Sequence, residues 1–117
     1  MIKTIALVRR RVDLTHGEFR DYYENHHAKL ISEVPHVARY VRRYIEPSGL
    51  WNGPGAFDAI TEIWFSSQAD YDAAMARLVE LQELFATDAA NVFDTSATQR
   101  FVVLDECDTD VPGASEA

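Results

Sequence analysis

The most regular pattern in the chain is the alternation in "FDAITEIWF", Phe57 to Phe65. Successive residues of a β-strand point to opposite faces, so a period of two separates the segment into two sides. The odd-numbered side is almost wholly apolar, whereas the even-numbered side mixes Asp58 and Glu62 with Ile60 and Trp64. This pattern predicts a strand whose odd-numbered residues face the core.

Three further segments have the β-branched and aromatic content that is typical of strands. They are Ile2 to Arg10, Val37 to Pro47 and Thr98 to Glu106. Between the second and third strands, "PSGLWNGPG", Pro47 to Gly55, contains three glycines and two prolines, and this composition predicts a loop.

Two segments show the apolar spacing of amphipathic helices. The first runs from Thr15 to Val34, with Thr15 as N-cap, Glu18 completing a capping box and Pro35 ending the helix. The second is predicted to be capped by Ser66 or Ser67. Its apolar stripe consists of Tyr71, Met75, Leu78, Leu81 and Phe85.

The resulting order, β-α-β-β-α-β, predicts an α+β, ferredoxin-like fold in which two helices cover one face of a four-stranded antiparallel sheet. The other face would carry Tyr, Trp and Val side chains and expose a sizeable apolar patch. Patches of this kind usually mark an interface or a ligand groove. We therefore expect a homodimer that buries sheet against sheet.

Composition is consistent with one folded domain. The chain has 117 residues, of which 47% are hydrophobic and 26% charged, and both fractions are close to those of globular proteins. The domain is predicted to span residues 1–106. Residues 107–117 are small, polar and acidic, and are predicted to form a flexible C-terminal tail.

The formal charge of -8 and the pI near 4.8 disfavour binding to nucleic acid, which depends on neutralising phosphates with Lys and Arg. No run of about 18 apolar residues predicts a membrane span. The single Cys107 cannot form an internal disulfide, and the N-terminus lacks a signal-peptide pattern. We expect a cytoplasmic protein without membrane or nucleic-acid partners.

The first predicted helix carries two adjacent histidines in "YYENHHAKL". His27 shares the inward stripe with Tyr23, whereas His26 is rotated by about 100° away from it. An imidazole can exchange a proton near neutral pH, so His27 is a candidate general acid/base; the alternative is a half-buried histidine bonded to a backbone carbonyl. His26, His16 and His36 are predicted to lie at the surface.

Glu62 is a second candidate, because Ile60 and Trp64 flank it on the uncovered side of the sheet. It would act as a base or would orient the substrate; the alternative is an ion pair with Arg42 or Arg10. Glu62 and either Arg10 or Arg42 would assist His27, and the predicted catalytic residues are His27, Glu62 and Arg10. Aromatic side chains and their neighbours would line a substrate pocket, or would simply pack. The predicted substrate-binding residues are Tyr23, Tyr40, Arg42, Tyr44, Ile60 and Trp64.

Cofactor and metal sites are not predicted. His26 and His27 diverge on a helix, and no pair of ligands has the i, i+4 spacing that would converge on an ion. No Gly-rich phosphate loop, serine nucleophile elbow or cysteine pair is present. Any catalysis is therefore expected to be cofactor-free.

Five features in order along the chain resemble the EthD domain family of dimeric α+β barrels. They are an arginine ending the first strand, the His27-Ala28 pair, a tyrosine in the second strand, an acidic-x-x-x-Glu-x-Trp-Phe run in the third, and Asp-x-Ala-x-x-x-Asp before the last. Asp88 and Asp94 match the two acidic positions of the last motif, and both are predicted to cap or to bond backbone amides.

The resemblance implies a homodimer with a pocket inside each half-barrel. Its superfamily includes lyases, isomerases, polyketide cyclases, cofactor-independent oxygenases and members with no known activity, so the fold alone assigns no reaction. The leading hypothesis is a lyase, isomerase or cyclase that uses His27 on a small aromatic, polyketide-like or lactone-like substrate. The alternatives are a non-catalytic hydrophobic-ligand-binding or accessory protein, and a cofactor-independent monooxygenase.

Overall fold

A four-stranded antiparallel sheet organises the fold in the computed structural model, which describes residues 1–50 and 55–113. The strands are β1 (Ile2–Val8), β2 (Arg39–Tyr44), β3 (Ala59–Phe65) and β4 (Gln99–Val102). They lie in the order β2-β3-β1-β4, and every neighbouring pair is antiparallel. The predicted ferredoxin-like α+β fold is confirmed.

The strands are shorter than the sequence pattern indicated. β2 was predicted to reach Pro47, but its last paired residue is Tyr44, opposite Ala59. β1 ends at Val8, and Arg10 makes only an isolated bridge with Phe93. Residues 51–54 of the predicted loop and 114–117 of the predicted tail lie outside the described part of the chain, and the tail stays a prediction.

The first helical stretch has three parts: α1 (His16–Tyr22), a π-helical turn (Tyr23–His27) and α2 (Ala28–Ser32). The predicted capping box is confirmed, since the Thr15 hydroxyl accepts from the Glu18 amide at 3.1 Å and the Glu18 carboxylate accepts from the Thr15 amide at 2.9 Å. In the π-helical turn the Ala28 amide donates to the Tyr23 carbonyl. Such turns occur frequently at functional sites.

The second helical stretch consists of two helices, where one was predicted. α3 (Gln68–Glu80) begins at Ser67, whose hydroxyl accepts from the Asp70 amide at 3.1 Å. The backbone leaves helical geometry at Leu81, with φ of -103° and ψ of 15°, and α4 (Gln82–Ala90) follows. Within residues 1–50 and 55–113, no helix is both long and apolar enough to cross a bilayer.

All helices pack on one face of the sheet, called here the covered face. The odd-numbered residues of β3 point to it as predicted, and Ala59, Thr61 and Phe65 are buried. Tyr40 pairs with Ile63 and Tyr44 with Ala59, so both tyrosines also lie on the covered face. The prediction that tyrosines would occupy the uncovered face is therefore wrong, because the register of β2 against β3 points Tyr40 and Tyr44 towards the helices.

The opposite, uncovered face has an apolar centre. Its register places Leu7 opposite Ile60, and Ile5 opposite Phe101. Trp64 lies beside this centre, with Lys3 and Arg39 over its ring at 4.1 Å and 4.7 Å. Phe101 is 50% exposed.

Candidate functional site

A cavity of about 490 Å³ lies between the covered face of the sheet and helices α3 and α4. Most of its wall is apolar, and its volume is typical of small-molecule sites. Strands β1 and β3 form its floor, the two helices form one side, and β4 borders it. The lining residues include Ala6, His27, Ile31, Thr61, Ile63, Met75, Leu78, Gln82, Phe85, Ala89 and Arg100.

His27 contributes the only imidazole among the described residues of this wall, and it is held by a carboxylate. Its Nδ1 lies 2.9 Å from Oδ2 of Asp88, which belongs to α4. The other oxygen of Asp88 accepts from the Tyr22 hydroxyl at 2.8 Å, and Asn91 Nδ2 donates to that hydroxyl at 3.1 Å. We call this pair the His27–Asp88 dyad; the two side chains are only 11% and 14% exposed.

Aromatic rings surround the imidazole. Tyr23, Phe93 and Phe85 meet it edge-on, with ring centroids 5.6, 5.0 and 6.3 Å away. Burial among these rings lowers the pKa of His27 below its ordinary value of 6.5; the bond to Asp88 opposes that shift, and the nearby positive charge of Arg100 adds to it. His27 is therefore neutral at pH 7.

The hydrogen bond to Asp88 determines which nitrogen of the neutral ring carries the proton. A carboxylate can only accept, so Nδ1 holds the hydrogen and Nε2 keeps its lone pair. Nε2 has no hydrogen-bond partner within the described residues. Since no fully buried side-chain nitrogen or oxygen there is unpartnered, Nε2 reaches accessible space, and His27 lines the cavity. The geometry presents a free basic nitrogen to a mostly apolar chamber.

Glu62, Ile60 and Trp64 lie on the uncovered face, across the sheet from His27. Glu62 pairs with Arg43 at 2.9 Å and accepts from Trp64 Nε1 at 3.2 Å. The expectation that its partner would be Arg42 or Arg10 is wrong, because Arg42 points to the covered face and Arg43, opposite Ile60, lies on the uncovered face with Glu62. The structure does not bring Glu62, Ile60 or Trp64 together with the imidazole.

Arg10 is also separate from the dyad. Its guanidinium donates to the Leu14 carbonyl, and its Nε lies 3.6 Å from Asp58. It borders a second, more polar cavity of about 460 Å³, to which His16 and Asp94 also contribute. Among the residues that the structure describes, none lines both cavities.

The remaining predicted residues form a polar network next to the dyad on the covered face. The Tyr40 hydroxyl donates to the Tyr23 hydroxyl at 3.1 Å. Arg42 donates twice to Glu24, at 2.6 and 2.9 Å, and the Tyr44 hydroxyl also donates to Glu24. Burial is the main cause that raises the pKa of Tyr23, so its phenol is neutral at pH 7. Because none of Tyr23, Tyr40, Arg42 and Tyr44 belongs to the cavity wall, this network braces the helix that carries His27.

The two aspartates of the last motif have different environments. Asp94 bonds the amide and hydroxyl of Ser96 at 3.2 and 2.6 Å, as predicted for a turn. The same prediction is wrong for Asp88, whose carboxylate accepts from the Tyr22 and His27 side chains. The motif match was the signal for Asp88, but local sequence could not identify a partner 61 residues away.

The other histidines are exposed, as predicted. His26 stacks on Tyr22 with ring centroids 4.5 Å apart. His16 lies 3.3 Å from Asp58, and His36 lies 3.2 Å from Asp70. In residues 1–50 and 55–113, no three His, Cys, Asp or Glu side chains converge to hold a metal ion.

Comparison with known families identifies the class of this chain. The model of the EthD domain matches residues 11–96, which is most of the chain, so the protein belongs to the EthD domain family. A search of curated proteins finds no match by sequence.

Solved structures share the fold at low sequence identity. An EthD family protein of Bacillus halodurans is 22% identical, with 91% of this chain and 99% of that chain covered and a TM-score of 0.69. SnoaB of Streptomyces nogalater, described as a cofactor-independent oxygenase, is 10% identical over 95% and 96%, with a TM-score of 0.59. A protein of Thermobifida fusca, described as dimeric and ferredoxin-like, is 18% identical over 87% and 86%, with a TM-score of 0.51.

Proposed function

We propose that this protein is a cofactor-independent enzyme that moves a proton on a small hydrophobic substrate, with His27 as general base and then general acid. The observation that carries the proposal is the His27–Asp88 dyad in the wall of the apolar cavity. A histidine oriented by a carboxylate is a recurring acid–base arrangement, and the cavity supplies a site for the substrate.

The chemistry follows from the charges of the dyad. When Nε2 takes a proton, the imidazolium that forms lies 2.9 Å from the Asp88 carboxylate, which stabilises it. Return of that proton to a different atom of the substrate completes an isomerisation, a cyclisation or an elimination. Because burial lowers the pKa of His27, the neutral ring is a weak base, and it suits substrates with an acidic C–H or O–H, such as polyketide-like or phenolic compounds.

The proposal gives the acid–base step to His27 alone. Glu62 and Arg10, which the sequence suggested as assistants, face the other side of the sheet and a different cavity. Asp88 takes the orienting role in their place. Substrate contacts come from the cavity wall, and Ile60 and Trp64 have no part in them.

Hydrogen exchange with solvent tests proton transfer without knowledge of the natural reaction. A panel of hydrophobic enolisable ketones, lactones and phenols is incubated with the protein in D₂O, and deuterium incorporation is followed by NMR. Exchange is expected to be fastest when His27 is neutral and to fall as the pH decreases through a midpoint below the ordinary histidine pKa, since protonated His27 cannot accept a proton. Binding of these compounds with no exchange at any pH would contradict the proposal.

The same experiment distinguishes two other functions from proton transfer. A ligand-binding or accessory protein would use the same apolar cavity, and it would bind panel compounds without exchanging their protons. SnoaB, which shares the fold, supports a cofactor-independent oxygenase as the second candidate. That reaction needs a substrate that itself activates oxygen after deprotonation, and measurable oxygen uptake would identify it.

We also propose that the protein is a cytoplasmic homodimer that buries the uncovered face. The apolar centre around Leu7 and Ile60 supports this pairing, as does the description of the Thermobifida fusca relative as dimeric. Wild-type protein at micromolar concentration is expected to sediment at twice 13.3 kDa. Leu7→Glu should sediment as a monomer, because it places a charge in the interface.

Val12→Glu is the matched control for this measurement, since Val12 is 89% exposed and lies outside the sheet. It should remain dimeric. A monomeric wild-type protein, or a dimer that tolerates Leu7→Glu, would exclude pairing through this face.

A further inference from the structure

One permanently charged side chain borders the cavity of the dyad. Arg100 is on β4, opposite Ala6 of β1, and this register places it on the covered face with His27. The other described lining residues are apolar or neutral polar groups, apart from the titratable His27. The guanidinium is close enough to the imidazole for its charge to act on that ring.

Within the part of the chain that the structure describes, Arg100 has no carboxylate partner, whereas five of the nine arginines have one. Arg42, Arg43 and Arg77 each have a carboxylate oxygen within 2.9 Å. Within residues 1–50 and 55–113, Arg100 forms no ion pair, although the chain carries 19 acidic residues against 11 basic ones. Both oxygens of Asp88 already accept hydrogen bonds, from Tyr22 and His27. Arg100 therefore places at the border of the cavity a positive charge that is paired with no carboxylate of the described residues.

We propose that Arg100 recognises a carboxylate on the substrate, so that the enzyme acts on a hydrophobic carboxylic acid. This inference rests on the proposed function and specifies its substrate class. The guanidinium offers parallel N–H donors that match the two oxygens of a carboxylate. With the carboxylate at Arg100, the apolar body of the substrate lies against α3 and α4, and its reacting atom faces Nε2 of His27.

The same arrangement favours the reaction. When His27 removes a proton from a substrate whose carboxylate is already ionised, a second negative charge develops on that molecule. Arg100, on an exposed position of β4 at the border of the mostly apolar cavity, compensates part of this charge. Arg100 is therefore a specificity-determining residue with a supporting electrostatic role.

Binding of two matched probes tests the inference. 2-Naphthoate and 2-naphthamide have the same ring system and differ in charge, and their affinities are measured by titration calorimetry. The wild-type protein is expected to bind the carboxylate about 10-fold or more tightly than the amide. Arg100→Gln should remove this preference while changing the amide affinity less than twofold, and Arg100→Lys should keep part of it.

Arg77→Gln is the control, because Arg77 forms an exposed ion pair with Glu80 on α3 and should leave both affinities unchanged. Equal affinity for the two probes, an equal loss of both in Arg100→Gln, or no binding of either probe by the folded wild-type protein would overturn the inference. Circular dichroism verifies that each variant is folded.

The binding measurement separates this inference from the proposed catalysis. The preference for naphthoate should persist in His27→Asn, which lacks the base but keeps Arg100. If the preference is found and no compound exchanges protons with D₂O, the catalytic proposal fails and the carboxylate site stands. If neutral compounds exchange protons and naphthoate is not preferred, the catalytic proposal stands and the carboxylate site is excluded.

Discussion

Replacing His27 by alanine is expected to lower the rate of proton exchange or turnover by about 10²–10⁴-fold, which is the usual contribution of a general acid/base. The loss should appear in kcat, since the imidazole acts on the reacting proton and the apolar wall still binds the substrate. The measurement is the rate of deuterium incorporation, or of product formation, under saturating substrate.

His26→Ala is the matched control, because His26 is the adjacent residue, is exposed and stacks on Tyr22 outside the cavity. It should keep nearly full activity. His27→Ala also removes packing against Phe93 and Tyr23, so His27→Asn provides a second variant that retains a donor for Asp88. If both His27 variants fold and retain the wild-type rate, His27 is not the base.

Asp88→Asn is expected to produce a loss of similar size, about 10²-fold or more, with His27 still present. The asparagine amide can donate to Nδ1, which moves the ring hydrogen to Nε2 and removes the lone pair that faces the cavity. The carboxylate also raises the pKa of His27 against the effect of burial, so its loss should lower that pKa further. NMR titration of His27, together with the exchange rate, measures both effects.

Asp72→Asn is the control for this charge change, since Asp72 is exposed on α3 and bonds only Gln68 among the described residues.

Tyr22→Phe should lower the exchange rate less than tenfold, because it removes one donor from Asp88 and leaves the bond to His27. An Asp88→Asn protein with an unchanged rate and an unchanged His27 pKa would show that the aspartate only fills space.

Local patterns in the sequence predicted most of the fold. The alternation in β3, the capping box at Thr15 and the cap at Ser67 each depend on residues within a few positions of one another. Such signals are present in the chain before it folds. The interruption at Leu81 was missed, because apolar residues on both sides continue the helical spacing through it.

The candidate site was only partly predictable. The stripe that His27 shares with Tyr23 indicated an inward imidazole, and the structure places it at 9% exposure. Glu62 was associated with it because an acidic residue between apolar neighbours suggests a special environment. Alternation along β3 correctly assigned Glu62 to the uncovered side, but it could not show that the cavity lies on the covered side.

By itself, therefore, the sequence determined the approximate strands, the starts of α1 and α3, and the inward position of one histidine, because these depend on near neighbours in the chain. Only the tertiary structure decided that Asp88, not Glu62, holds that histidine, and that Arg100 borders the same cavity. The reason is physical: the packing of α4 on the π-helical turn and the register of β4 against β1 bring together side chains that are distant along the chain.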